Sequence, residues 1–158
     1  MRPMKPKIKS EYKEKVIDLR RVTRVVAGGK RMSFRATVVI GDEKSKVGIG
    51  VAKGLDVAQA VDKAKLRAKK NLIVVPLKGR SIPHEVEAKY SAAYIKIKPA
   101  KLGHGLKAGG ASRSVLLLAG IKDATSKTLG KTKNKLTNAM ATIEALKMLN
   151  SKKPDRTN

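Results

Sequence analysis

Apolar and polar residues alternate along much of the first third of the chain, and the period of that alternation changes once. Met32, Phe34, Ala36, Val38 and Ile40 are interleaved with Ser33, Arg35, Thr37 and Val39. A period of two predicts a strand with one buried face. A β-rich run from Lys15 to Val26 precedes it, and the reversal between them is expected at Gly28-Gly29, because glycine enters φ > 0 without steric penalty. Gly41-Asp42 opens a second turn, after which Val47, Ile49 and Val51 alternate with Gly48, Gly50 and Ala52. Three antiparallel strands in a meander are expected. The period then becomes helical: Val57, Val61, Ala64 and Ala68 fall on one face behind Asp56, a suitable N-cap.

Ile73 to Leu77 reads as a short strand that runs into Lys78-Gly79-Arg80, a candidate boundary. Beyond it, His84 to Val86 and Ala92 to Lys98 suggest a hairpin, and Pro99 to Gly110 a glycine-rich loop. Residues 111 to 119 predict a short apolar helix closed by Gly120, then a strand over Ile121 to Ser126. A last helix opens near Thr132, with Leu136, Met140, Ile143 and Leu146 or Lys147 toward the core. The second half thus reads β-β-α-β-α. The expected organisation is a basic disordered arm (1–10), one domain over 11–76, an α+β domain over 77–150 and a flexible tail over 151–158.

Charge changes this picture. The chain of 158 residues carries 37 Lys+Arg against 12 Asp+Glu, a formal net charge of +25. Self-repulsion on that scale opposes compaction unless a polyanion is the usual neighbour. Nucleic acid fits, since each phosphate neutralised by Lys or Arg releases condensed counterions. The longest apolar run, Val115 to Ala119, is far short of the roughly 20 residues of a spanning helix. No membrane partner is expected. Tyr12, Phe34, Tyr90 and Tyr94 are the only aromatic residues, too few for a base-stacking platform, so shaped or double-helical nucleic acid held through phosphates is favoured. The absence of cysteine excludes disulfides and thiolate metal sites and fits a reducing compartment.

The cations cluster. Arg20, Arg21, Arg24, Lys30 and Arg31 surround the first reversal, and Lys63, Lys65, Arg67, Lys69 and Lys70 follow one another along the first helix. In the glycine loop, Gly109-Gly110 stands where a helix begins, with free N–H groups and a favourable dipole for an anion, and Arg113 lies one turn further. Other motifs fail. "VGIGVAKG" has Lys53 where a dinucleotide fingerprint needs its third glycine, so Gly48 and Gly50 read as a strand face on which the next helix packs closely. "TSKTLGKT" has Thr125 in place of the first glycine of a phosphate loop. His84 and His104 lack companions at ligand spacing, so neither a metal nor another cofactor is expected. Glu85 and Glu87 share a strand face among basic neighbours and read as ion-paired. No catalytic constellation is legible, and an enzyme is not expected.

"RVTRVVAGGKRMSF", "VVIGDEKSKVGIGVAKGLDVAQAVDKAKLRAKKNL", "GHGLKAGGASR" and "NAMATIEALKML" occur in the order and spacing of bacterial small-subunit ribosomal protein five. The resemblance covers roughly residues 11 to 150. It implies an α+β fold: an N-terminal double-stranded-RNA-binding-like domain, with a three-stranded sheet plus helix, and a C-terminal split β-α-β domain. It implies a cytoplasmic, ribosome-bound structural constituent of the small subunit that supports assembly and decoding accuracy. The implied partners are small-subunit ribosomal RNA and small-subunit proteins four and eight, near the messenger entry path, with the first hairpin beside the spectinomycin site. The residues expected at RNA are Arg20, Arg21, Arg24, Gly28, Gly29, Lys30, Arg31, Lys63, Arg67, Lys69 and Lys70. Gly103, Gly105, Gly109, Gly110 and Arg113 are expected at RNA or protein. Ala52 and Gly54 depart from the family's usual residues, which bears on how strand and helix meet. The alternatives are an RNA-binding subunit of a ribonucleoprotein enzyme, which would not need the first domain, and a metabolite-kinase-like enzyme, which would need an intact phosphate loop and a catalytic acid.

Overall fold

The computed structural model describes residues 11–149; the expected arm (1–10) and tail (151–158) lie outside the described residues. Strands β1 (Lys13–Val26), β2 (Gly29–Gly41), β3 (Lys46–Gly54) and β4 (Leu72–Val74) form one antiparallel sheet in the order β1-β2-β3-β4. The expected three strands are therefore four. After helix α1 (Val57–Lys70) the chain returns, and Leu72–Val74 pairs with Lys46–Gly48. A strand of three residues is too short to display a period, so its sheet membership was not legible.

Helix α1 lies on one face of this sheet, burying Ala60, Ala64 and Ala68 against Ala36, Val38, Ile40 and Ala52. Asp56 is its N-cap in extended conformation, without a side-chain cap bond. The close approach read from Gly48 and Gly50 is present. A Cβ built at Gly50 would lie 2.5 Å from the Ala68 nitrogen, and one at Gly54 would lie 2.6 Å from that of Ala60. Ala52 faces the same side and is buried.

β2 is not the half-buried strand its alternation predicts, since every residue from Ala36 to Gly41 is buried. Val39, with Val47 and Ile49 of β3, belongs to a second core shared with the other half of the chain. That half supplies the cover for the face expected to meet solvent. Its sheet runs β5-β6-β8-β7, from β5 (Val86–Tyr90), β6 (Ala93–Pro99), β7 (Leu106–Lys107) and β8 (Ala124–Thr128). β7 and β8 are parallel neighbours joined through α2 (Gly110–Leu118), a β-α-β unit; α3 (Lys135–Lys147) follows. β7 lies inside the segment expected to be loop, and β8 begins three residues later than expected. Gly120 ends α2 as expected: its φ is +87°, its N–H donates to Leu117 O (3.0 Å), and Ile121 N–H donates to Leu116 O (3.1 Å). Helix α3 is capped by Asn134, whose side chain accepts from Leu136 N–H, two residues beyond Thr132. Ile143 and Leu146 are buried, Leu136 and Met140 pack at the core's edge, and Lys147 is exposed.

The two halves are fastened at the β2–β3 turn. Asp42 Oδ1 accepts from the N–H groups of Lys44, Ser45 and Lys46 at 2.8–2.9 Å, which shapes the turn. Glu43 N–H then donates to Leu118 O at the end of α2 (3.0 Å).

Candidate nucleic-acid interface

β1 and β2 stay paired out to Val26 opposite Gly29, whereas β3 accompanies β2 only as far as Phe34. The hairpin beyond Phe34 is therefore a two-stranded ribbon standing clear of the sheet, reaching about 17 Å at ~3.4 Å per residue. Its reversal is made by Ala27 and Gly28, not by Gly28 and Gly29, and only Gly29 has positive φ (+140°). A Cβ at either glycine would meet open space.

Register sorts the ribbon's side chains. Residues directly opposite share a face, so Arg20 with Arg35, Val22 with Ser33, and Arg24 with Arg31 line one side. Arg21 opposite Phe34, Thr23 opposite Met32 and Val25 opposite Lys30 line the other. Two arginine pairs thus stand directly opposite each other, an arrangement that costs stability in an isolated ribbon. Arg20 is paired with Asp18 at 2.7 Å, whereas Arg24, Arg31 and Arg35 take part in no ion pair among the described residues. Sequence reasoning missed Arg35, which the strand's alternation alone places opposite Arg20 once register is fixed. The structure also parts Arg21 and Lys30 from Arg20, Arg24 and Arg31.

On α1, Lys63, Arg67 and Lys70 fall at i, i+4 and i+7 and form a stripe. Arg67 Nη1 donates to Val51 O (2.6 Å), on the stretch of β3 that β4 does not cover. Lys69 lies on the opposite flank, beside Tyr12, Asp62 and Leu66. One cation of the run is neutralised in space. Lys65 meets Glu14 at 2.8 Å and Asp62 at 3.6 Å, and the Glu14 hydrogen bond foremost pushes its pKa up.

The glycine loop is two places rather than one. Gly103 and Gly105 have positive φ (+83° and +77°), and Gly105 N–H donates to Oδ1 of buried Asp123 (2.8 Å). Asp123 also meets Arg80 Nε at 3.2 Å, and its carbonyl accepts from Ser81 Oγ, so the loop is tied to the segment joining the two halves. Gly109 is instead the N-cap of α2, and Gly110, its first residue, faces the base of β1 across a cleft. Arg113 is exposed, its N–H bonded to Gly109 O at 2.7 Å.

On the outer face of the second sheet, Lys96 sits between Glu85 and Glu87, and Tyr94 donates to Glu87. The Lys96 hydrogen bond is the leading cause that holds both carboxyls below their ordinary range, the environment of ion-paired acids. Among the described residues no cluster of His, Asp and Glu could hold a metal ion, and no helix is long and apolar enough to cross a membrane.

Comparison with known proteins bears on both halves. Residues 12–76 match the family model "Ribosomal protein S5, N-terminal domain", and residues 88–156 match "Ribosomal protein S5, C-terminal domain". The chain is 50% identical over 141 residues to small ribosomal subunit protein uS5 of Synechococcus elongatus, covering 89% of this chain and 78% of that protein. It is 51% identical over 142 residues to uS5c of Cyanidium caldarium, covering 89% and 84% respectively. Against uS5c of Spinacia oleracea it is 49% identical over 146 residues, 92% of this chain but 47% of the relative, so it spans about half that protein's length. Two family domains matched in chain order, and relatives about half identical over most of their length, establish that the chain belongs to the ribosomal protein S5 (uS5) family of the small subunit, whose members are structural ribosomal proteins and not enzymes.

Proposed function

We propose that the chain, as two domains over 11–76 and 77–150, binds small-subunit ribosomal RNA through the ribbon, the cations of α1 and the glycine loop. The observation that carries this is the arginine face of the ribbon. Arg24 stands directly opposite Arg31 on the part of the hairpin that β3 does not accompany, and Arg20 stands opposite Arg35 at its base, where Arg35 is in turn opposite Lys53 of β3. A fold gains nothing from that arrangement, whereas a phosphate backbone neutralises it and releases counterions. Contacts of this kind position RNA without reading much sequence. The RNA-contacting set is Arg20, Arg24, Arg31 and Arg35 on one side of the ribbon, Arg21 and Lys30 on the other, and Lys63, Arg67, Lys69 and Lys70 on α1. The work of these contacts is to support assembly and decoding accuracy, beside small-subunit proteins four and eight and near the messenger entry path. Gly103, Gly105, Gly109, Gly110 and Arg113 serve RNA or a protein neighbour.

The test is binding of the full chain to purified small-subunit ribosomal RNA across a salt series. Log affinity should fall with log salt at a slope worth several phosphates, at roughly 0.7–0.9 per phosphate. Replacing Arg24 and Arg31 by Gln should lower that slope by about 1.5. A wild-type slope of one or less, or a double variant that binds as wild type, would overturn the proposal.

A further inference from the structure

We infer that the cleft at the seam between the two halves seats phosphates of an RNA strand, as the continuation of the ribbon's arginine face; this rests on the RNA-binding reading above. The cleft holds about 380 Å³ and is lined by Lys15 and Ile17 of β1, Gly110, Ala111 and Ser114 of α2, and Lys133 and Lys135 leading into α3. Val16 and Asn138 complete its lining, which contains no acidic and no aromatic residue. Lys15, Lys133 and Lys135 are exposed and make no ion pair among the described residues. Of the nearby acids, Glu14 is paired with Lys65 of α1, and Asp18 is paired with Arg20 on the ribbon's own arginine face, so Lys15, Lys133 and Lys135 keep their charge while Arg20 is partly neutralised. Three unneutralised ammonium groups from both halves therefore face one concave space over a floor of small residues, where a backbone rather than a base can lie.

The irregularity in β1 ties this cleft to the ribbon. Lys15 is opposite Val39 and therefore faces the second half, together with that buried residue. In a regular strand the even-numbered residues beyond it would face α1. The register shifts between Val16 and Asp18, so Asp18 lies opposite Thr37, and Arg20 and Arg24 emerge on the side of Lys15. The bulge thus aligns Lys15, Arg20 and Arg24 with Arg31 and Arg35 on one side of the hairpin. The cations form a track that starts between the halves and runs outward for about 30 Å along β1, at ~3.3 Å per residue. A compact anion would use one end of such a track; a polyanionic strand uses its length.

The experiment compares full-length variants against purified small-subunit ribosomal RNA at fixed moderate salt, with thermal melting as a check of folding. The cleft variant carries Lys15→Gln, Lys133→Gln and Lys135→Gln. The charge-matched control carries Lys89→Gln, Lys107→Gln and Lys127→Gln, on exposed positions of the second sheet. We expect the cleft variant to lose at least tenfold in affinity and about two in salt slope, and the control to lose less than threefold. Equal losses in the two folded variants would overturn the cleft, even if Arg24→Gln with Arg31→Gln still weakens binding and upholds the RNA reading. A cleft variant that binds RNA as wild type but fails to enter small-subunit particles would assign the cleft to an acidic protein surface and also overturn it. If the cleft variant unfolds, Lys133→Gln with Lys135→Gln alone decides, with at least a threefold loss expected and none refuting.

Discussion

Gly50→Ala adds one methyl group, and the structure says it is not tolerated. The new Cβ would stand 2.5 Å from the Ala68 nitrogen and 3.1 Å from the Ala64 carbonyl carbon, with the Ala64 carbonyl oxygen nearer still. Ordinary contact begins near 3.4 Å, so α1 must retreat by about 1 Å along its whole inner face. Every atom in the way is backbone, so no side chain can rotate aside. The retreat also loosens Ala60, Ala64 and Ala68 from Ala36, Val38 and Ile40, which share their core. Overpacking costs typically 1–3 kcal/mol, and a clash with helix backbone belongs at the upper end, about 3 kcal/mol. For a chain of this size that is roughly 6–12 °C in melting temperature. The assay is thermal unfolding of the purified protein beside Gly28→Ala, the same change at a site where a Cβ meets nothing. Gly28→Ala should melt within about 1 °C of wild type. If Gly50→Ala does so too, the close packing of α1 on β3 is wrong. If it spares stability but abolishes binding of a nucleotide, the glycines belong to a ligand and not to the helix.

Four further outcomes follow from the same geometry. Gly29→Val should strain the ribbon tip by about 1–2 kcal/mol, because φ there is +140°, lower the melting temperature by no more than about 2–8 °C and weaken RNA binding; global unfolding would refute a free-standing ribbon. Replacing Arg31 by Thr removes a like-charge cross-strand pair worth about 0.5 kcal/mol, so amide exchange in the ribbon should slow about twofold at low salt and not at high salt. Asp123→Ala should cost about 2 kcal/mol and speed exchange of the Gly105 amide, since the buried carboxylate that accepts from it is lost; an unchanged Gly105 amide would refute the tether. Glu85 and Glu87 are held below their ordinary pKa of 4.5, so their stabilisation is present at neutral pH and is lost as pH falls through the depressed folded values; Lys96→Met should flatten acid unfolding in that range, and an unaltered acid limb would refute the pairing.

β2 and both long helices were legible because their apolar periods are long, and β1 only as a β-rich run, since its alternation is broken by the bulge between Val16 and Asp18. The glycines at 48 and 50 were legible for a different reason: a fingerprint that fails at Lys53 leaves close packing as their use. What sequence could not give depends on partners distant in the chain. The burial of Thr37 and Val39 needs a second half whose docking no local pattern announces. β4 overlaps the short strand expected over Ile73 to Leu77, but its pairing with β3 was not legible, and β7, of two residues, carries no period. Among the candidate contacts, the basic residues of the hairpin stood out by number, but which of them share a face followed from the bulge between Val16 and Asp18. Arg35 was hidden as the polar member of an alternating strand. Of the two acids that meet Lys65, Asp62 is three residues away on the same helix, whereas Glu14 is 51 residues away along the chain and its pairing was not legible.

Cosedimentation of the full chain with ribosomal particles tests the central claim most directly. Purified small subunits depleted of their own copy of this protein, intact large subunits and free tRNA would be mixed in turn with the labelled chain at physiological salt. The account predicts near-stoichiometric, saturable retention on the small subunits alone, reduced at least tenfold by Arg24→Gln with Arg31→Gln. Equal, non-saturating retention on all three polyanions, or unchanged retention of the arginine variant, would contradict it.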